Sequence, residues 1–164
     1  MKKEKETKTE EQPAANPQQN LPALIVHTQY IKDLSLEIPL APEIFRGINQ
    51  APNIHVDISI SNKKLDDGNF NVDLKVKLDA NLGEKKFFII ELTYAAVAAV
   101  NVPAEHVEPV LYIELPRLLF PYARSIISNS LAEAGLPPMM LSPIDFVALY
   151  QAKKAKEAEM AAEK

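Results

Sequence analysis

The chain reads as an α+β domain: a four-stranded antiparallel sheet with C-terminal helices packed beside it. Three observations predict this. Four segments between residues 24 and 94 carry strand patterning, and the middle two alternate strictly between apolar and polar residues. Turn residues separate the later strands, namely Asp67-Gly68 and Asn81-Leu82-Gly83-Glu84. After Asn101 the apolar residues change to helical spacing, so the helices follow the sheet and do not alternate with its strands.

The first strand is Leu24 to Ile38, ended by Pro39 and Pro42, because proline has no N–H to donate to a ladder. Its last part sorts Leu34, Leu36 and Ile38 onto one face and Asp33, Ser35 and Glu37 onto the other. Pro39 to Pro52 is an irregular crossover, too long for a tight hairpin. Strand two, Asn53 to Asn62, alternates Ile54, Val56, Ile58 and Ile60 with His55, Asp57, Ser59 and Ser61. Strand three, Asn69 to Asn81, alternates Phe70, Val72, Leu74, Val76, Leu78 and Ala80 with polar residues. Strand four starts near Lys85 and runs through Phe87 to Tyr94. It is apolar on both faces, which predicts a cover on its outer side: a helix, a second subunit or a client.

Pro103 opens a helix as its first residue. Val107, Val110, Leu111, Ile113, Leu115, Leu118 and Leu119 follow at helical spacing, with a break expected near Pro116. Pro121 restarts the helix, and Gly135 closes it as the left-handed residue after the cap. Leu136 to Leu141 reads as an exposed apolar loop. Ser142 is expected to cap the last helix, with Pro143 as its first residue and Asp145 third. The chain therefore divides into a disordered arm over residues 1–20, a folded domain over 21–150, and a charged tail over 151–164 that should fray for want of an apolar stripe.

The net charge is −4, and residues 21–150 carry −5 of their own. That balance argues against nucleic acid or an anionic membrane as partner and suits a basic one. There is no cysteine, which excludes disulfides, thiol catalysis and thiolate metal sites. The N-terminus has no apolar core of a secretory signal, and the longest mainly apolar uncharged stretch, Leu92 to Ala104, is shorter than the roughly 20 residues that span a bilayer. The expectation is a cytoplasmic protein with no direct membrane insertion.

No chemistry is written into the chain. His27, His55 and His106 have no metal-binding spacing, and no nucleophile elbow, phosphate loop or dinucleotide fingerprint occurs. No catalytic residue, metal or cofactor is expected, and the protein is not expected to be an enzyme. Asp33 and Glu37 lie about 13 Å apart along their strand, too far to share a proton but well spaced to catch basic groups. Taken alone, that face is also the face of any solvated sheet. An apolar surplus remains at Phe87 or Phe88, Ile89, Leu111, Tyr112, Phe120, Tyr122 and the Leu136–Leu141 loop, and the client-binding candidates are Leu111, Tyr112, Leu115, Leu118, Phe120, Leu136, Met139 and Met140. It reads either as core and oligomer interface or as a binding surface for unfolded, apolar segments.

The stretch Tyr30-Ile-Lys-Asp-Leu-Ser-Leu-Glu37, followed by Ala41-Pro42, resembles the first strand of the SecB family of bacterial export chaperones. Further anchors are Leu82-Gly83-Glu84, Glu91, Pro116, Leu119-Phe-Pro-Tyr-Ala-Arg124 and Pro143-Ile-Asp-Phe-Val-Ala-Leu-Tyr150. The resemblance covers Tyr30 to Tyr150. It implies a homotetramer built as a dimer of dimers. It also implies an ATP-independent holdase that keeps secretory precursors unfolded and passes them to the SecA motor. SecA docking is implied at Asp33, Glu37 and Glu91, with Ile89 as the apolar neighbour. Where the family commonly has Gly-Gly and then Phe, this chain has Ala95-Ala96 and Ala98, so a glycine bulge and one aromatic client contact are missing. Two other readings stay open here: a SecB-like chaperone for another client, such as a toxin–antitoxin pair, and a small-ligand-binding α+β domain.

Overall fold

Two tight turns organise the sheet. Gly68 (φ 86°) and Gly83 (φ 59°) both adopt the left-handed backbone that residues with a Cβ avoid. Asp67 accepts hydrogen bonds from the Asn69 backbone N–H (3.0 Å) and side-chain amide (2.8 Å), which locks the first turn. In the computed structural model, which describes residues 22–47 and 51–162, these turns join three long strands. They are β2 (Asn53–Lys64), β3 (Phe70–Leu82) and β4 (Lys85–Val100). The first strand, β1 (Leu24–Glu37), pairs with β4 rather than with β2, so the antiparallel order is β1-β4-β3-β2. The long crossover after β1, which carries a short 3-10 turn at Glu43–Arg46, thus spans the sheet. The arm expected over residues 1–20 lies outside the described residues.

Register sorts the faces. Val72, Leu74, Val76, Leu78 and Ala80 of β3 and Ile90, Leu92, Tyr94, Ala96 and Ala98 of β4 are buried on one side. Each fully buried Leu or Ile there contributes about 1.5–3 kcal/mol of transfer free energy. Helices cover this side: α1 (Ala104–Pro109), a wide π-type turn (Val110–Glu114), α2 (Leu115–Glu133) and α3 (Phe146–Ala162). Leu115, Leu119, Ala123, Ile127 and Leu131 of α2 are fully buried on the sheet, and Phe146 packs edge-on against Phe120 with ring centroids 5.9 Å apart.

Several expectations are corrected. The chain does not break at Pro116; Glu114 and Leu115 keep helical dihedrals, and the Leu115 N–H reaches back five residues to the Val110 carbonyl. That wide turn shifts the carbonyl row just before a residue with no N–H to offer. Pro121 sits inside α2 rather than starting a new helix, and Pro103 is the cap of α1 rather than its first residue. The last helix is capped by Asp145, not Ser142: its Oδ1 accepts the Ala148 N–H at 3.0 Å. Gly135 (φ 79°) does close α2, and the Leu136 N–H bonds the Leu131 carbonyl at 2.9 Å in a Schellman arrangement. That turn draws Leu136 into the core, and Leu141 is buried too, so the loop between them is not wholly exposed.

Strand four is not apolar on both faces in the way its sequence suggests. A bulge falls between the pairs Ala80–Phe88 and Asn81–Lys86 and leaves Phe87 as the extra residue. Phe87 and Phe88 therefore turn to the same, covered side, with their rings 5.2 Å apart. The Ala95-Ala96 stretch of β4 pairs regularly; the bulges beside it belong to β1, at His27 and Lys32.

α3 continues past Tyr150 to Ala162. Beyond Phe146 and Leu149, which pack on the core, the helix is held by charge and rings rather than by an apolar stripe. Lys153 and Lys154 flank Glu108 of α1 at 3.7 and 2.7 Å, and Tyr112 and Tyr150 stack with centroids 5.9 Å apart. Lys153 also sits over the Tyr112 ring at 4.4 Å.

Candidate functional site

The open face of the sheet gathers the four residues expected to dock a motor. Residues paired across antiparallel strands share a face, with Cβ atoms roughly 5 Å apart. The pairs are Asp33–Thr93, Ser35–Glu91 and Glu37–Ile89. Asp33, Glu37, Glu91 and Ile89 thus form one patch on β1 and β4, with the acids exposed and Ile89 half-buried. From β3 and β2 the same face receives Lys75, Lys77, Asp79, Asp57 and Ser59.

Some of the charges on this face are matched within it. Lys77 Nζ lies 2.5 Å from Glu91 Oε1, and the adjacent carboxylate raises the lysine's pKa. Lys86 donates to Asp79 and, against the opposing effect of burial, holds that carboxyl below its usual range. Further along, Lys32 bonds Asp73 at 2.6 Å, Asn71 bonds the same carboxylate at 2.7 Å, and the Tyr30 hydroxyl donates to Asn71 at 2.7 Å. That second half of the face is closed over Ala95 by its own side chains; the half around Asp33, Glu37 and Glu91 is open. Asp33, Glu37, Asp57 and Lys75 make no ion pair among the described residues.

The apolar candidates divide. Leu111, Leu115, Phe120 and Leu136 are buried in the single chain. Leu111, Leu115 and Phe120 are packed in the core and offer little area to a partner, whereas Leu136 keeps an exposed rim. Tyr112 lines a cleft of about 390 Å³ between α3 and the edge strand β2, with Ile58, Ile60, Leu149, Tyr150 and Met160. Met139, with the rim of Leu136, lines a second cleft of about 320 Å³ whose other walls are Pro52, Ile54, Phe87, Phe88, Pro137 and Pro138. Leu118 (50% exposed) and Met140 (65% exposed) stand on the surface outside both clefts. The sequence does not mark Ile54 and the edge-strand residues as cleft residues; it marks Phe87 or Phe88 as apolar surplus, but strict alternation cannot place both on one face.

A third surface is apolar without being a cleft. Tyr122 of α2 (54% exposed) stacks on Tyr94 with centroids 6.3 Å apart, and Ile31 of β1 pairs beside Tyr94. Burial raises the Tyr94 hydroxyl pKa, with a smaller push from Tyr122. Ile31, Leu34, Leu118 and Tyr122 are all exposed on the β1 side of the molecule. No described helix is long and apolar enough to cross a membrane, and no three acidic or histidine side chains among the described residues group as metal ligands.

Comparison with known proteins identifies this arrangement. Residues 17–157 match the family model described as preprotein translocase subunit SecB. The chain is 47% identical over 146 residues to the protein-export protein SecB of Paramagnetospirillum magneticum, covering 87% of this chain and 93% of that one. It is 41% identical over 150 residues to the protein of the same name from Rhodospirillum rubrum, covering 91% and 94%. A SecB-like chaperone of Mycobacterium tuberculosis, solved in complex with a peptide from an antitoxin, shares the fold at a TM-score of 0.58. Its identity is 14%, over 75% of this chain and 91% of that one. A half-open sheet with apolar clefts on one side is thus the framework of a protein-export chaperone and not of an enzyme. The chain belongs to the SecB family.

Proposed function

We propose that this export chaperone holds unfolded precursors in its apolar clefts, without ATP, and docks the SecA motor on the open sheet face. The observation that carries the reading is the register of β1 against β4. It brings Asp33, Glu37, Glu91 and Ile89, which lie far apart in sequence, into one patch pointing away from the clefts. Client and motor then occupy opposite sides of one sheet, so the client need not be released before the motor is engaged. The cleft formed by Phe87, Phe88, Ile54 and Met139 is the better client site of the two, because its lining is almost wholly apolar. In this reading the protein works in the bacterial cytoplasm as a homotetramer, a dimer of dimers, and the exposed strip of Ile31, Leu34, Leu118 and Tyr122 supplies apolar area for that assembly.

A client other than secretory precursors, such as an antitoxin, is suggested by the Mycobacterium tuberculosis neighbour, but its 14% identity speaks for the fold alone. Relatives at 41–47% identity carry the export name.

The test is the triple variant Asp33→Asn, Glu37→Gln, Glu91→Gln, assayed for SecA binding and for holding an unfolded precursor. Exposed ion pairs are individually worth about 0–1 kcal/mol, so single changes weaken docking modestly and the triple change weakens it severely. Repeated sites in an oligomer amplify the loss through avidity. Client holding and fold stay near wild type. Unchanged motor affinity would end the docking assignment; loss of both activities would make these acids structural.

A further inference from the structure

We propose that Lys77 is a built-in competitor for the docking carboxylate of Glu91 and sets how tightly the open face takes a basic partner. The inference rests on the docking reading above. Of the three docking acids, only Glu91 arrives already paired: β3 register puts Lys77 directly opposite it, with Nζ 2.5 Å from Oε1. Asp33 and Glu37 have no cation within ion-pair distance among the described residues. A partner's lysine or arginine reaching Glu91 must displace Lys77 or share the carboxylate with it.

Both side chains are half-exposed, 46% for Lys77 and 48% for Glu91. The pair is therefore weak and screened by solvent, and displacing it costs up to about fivefold in affinity rather than blocking docking. Removing Lys77 has a second effect. Asp57 sits opposite Lys77 on its other side, so the change uncovers a further carboxylate on the same face. Lys75 provides a matched comparison. It is two residues away on the same strand face, exposed, and pairs with Thr93 rather than with a docking acid.

The experiment measures SecA affinity at low and moderate salt for the full chain carrying Lys77→Gln, Lys75→Gln or Lys77→Arg, and for Lys77→Gln combined with Glu91→Gln. Lys77→Gln should tighten docking by about fivefold and steepen its salt dependence, against a change of about twofold or less for Lys75→Gln. Lys77→Arg grips a carboxylate with two parallel hydrogen bonds and should weaken docking by about twofold. In the Glu91→Gln background the excess gain from Lys77→Gln should vanish. Client holding should not move, and the melting temperature should fall by no more than about 5 °C, the worth of one exposed ion pair; a merely structural lysine would lose that stability with no gain in docking. A Lys77→Gln effect that equals that of Lys75→Gln, or that weakens docking, overturns the inference. The docking reading fails separately, if Glu91→Gln and the Asp33 and Glu37 variants leave SecA affinity unchanged.

Discussion

Lys154 Nζ lies 2.7 Å from Glu108 Oε2 and so ties the last helix to the first across 46 residues of sequence. The hydrogen bond from Lys154, helped by Lys153, holds the Glu108 carboxyl below its ordinary value of 4.5. An acid whose pKa is lowered by folding stabilises the fold fully above its ordinary value and loses that contribution as pH falls below it. The clasp on α3 should therefore be intact at neutral pH and open progressively below pH 4.5. Glu108→Gln should reproduce the acid effect at neutral pH. Amide hydrogen exchange over Tyr150 to Ala162 should quicken by up to about fivefold, the equivalent of one exposed ion pair. Unaltered exchange in the variant would show that Phe146 and the Tyr112–Tyr150 stack dock the helix without the ion pair.

Gly135 ends α2 at φ 79°, and a Cβ there would meet Phe45 Cε1 at 3.3 Å. Gly135→Ala should cost about 1–2 kcal/mol, mostly from the left-handed backbone, because the exposed Phe45 ring can yield. For a domain of this size that corresponds to a fall of roughly 2–8 °C in melting temperature. No fall would mean that the Schellman turn relaxes without penalty.

Leu136 and Met140 stand four residues apart, yet only the first is buried. Leu136→Ala should destabilise the chain by about 2–5 kcal/mol, as a core leucine does, while Met140→Ser should leave stability within about 0.5 kcal/mol. Denaturant midpoints measure both. Equal effects would contradict the placement of the loop.

Leu118 and Tyr122 are half-exposed on α2 beside Ile31. If this strip is an assembly surface, Leu118→Asp with Tyr122→Asp should reduce the mass seen by light scattering while circular dichroism stays native. A wild-type mass of one chain at about micromolar concentration would refute the tetramer itself, since an interface of usual size holds there.

The cleft lined by Ile54, Phe88 and Met139 should bind unfolded clients by apolar burial. Met139→Asp should weaken client binding by at least about tenfold, because a carboxylate with no partner is costly to take out of water. Wild-type binding should change little with salt, because buried apolar area is not screened. A steep loss at high salt would assign client binding to charge instead.

What the sequence determined by itself is whatever a local period or a local backbone requirement dictates. The alternation of Ile54 to Ile60 and of Phe70 to Ala80 needed no partner to be read, since a strand's faces follow from its two-residue period. Gly68, Gly83 and Gly135 announced left-handed turns, because other residues are strained there. Asp33 and Glu37, and likewise Ile89 and Glu91, could be assigned to shared faces by spacing alone. The tertiary structure decided everything that depends on which residue stands opposite which. Phe87 falls into a bulge that sends both phenylalanines to the covered side, and the wide turn before Pro116 keeps the helix whole. Asp145 rather than Ser142 finds the free N–H of the last helix, and the closing turn of α2 draws Leu136 inward. Above all, the contact of Lys77 with Glu91 exists only because the two-residue turn at Gly83-Glu84 and the bulge at Phe87 together set the register of β3 against β4. Side-chain period repeats along a strand without reference to its neighbour, whereas register is a property of two strands at once and is determined by hydrogen bonding and packing across the whole sheet.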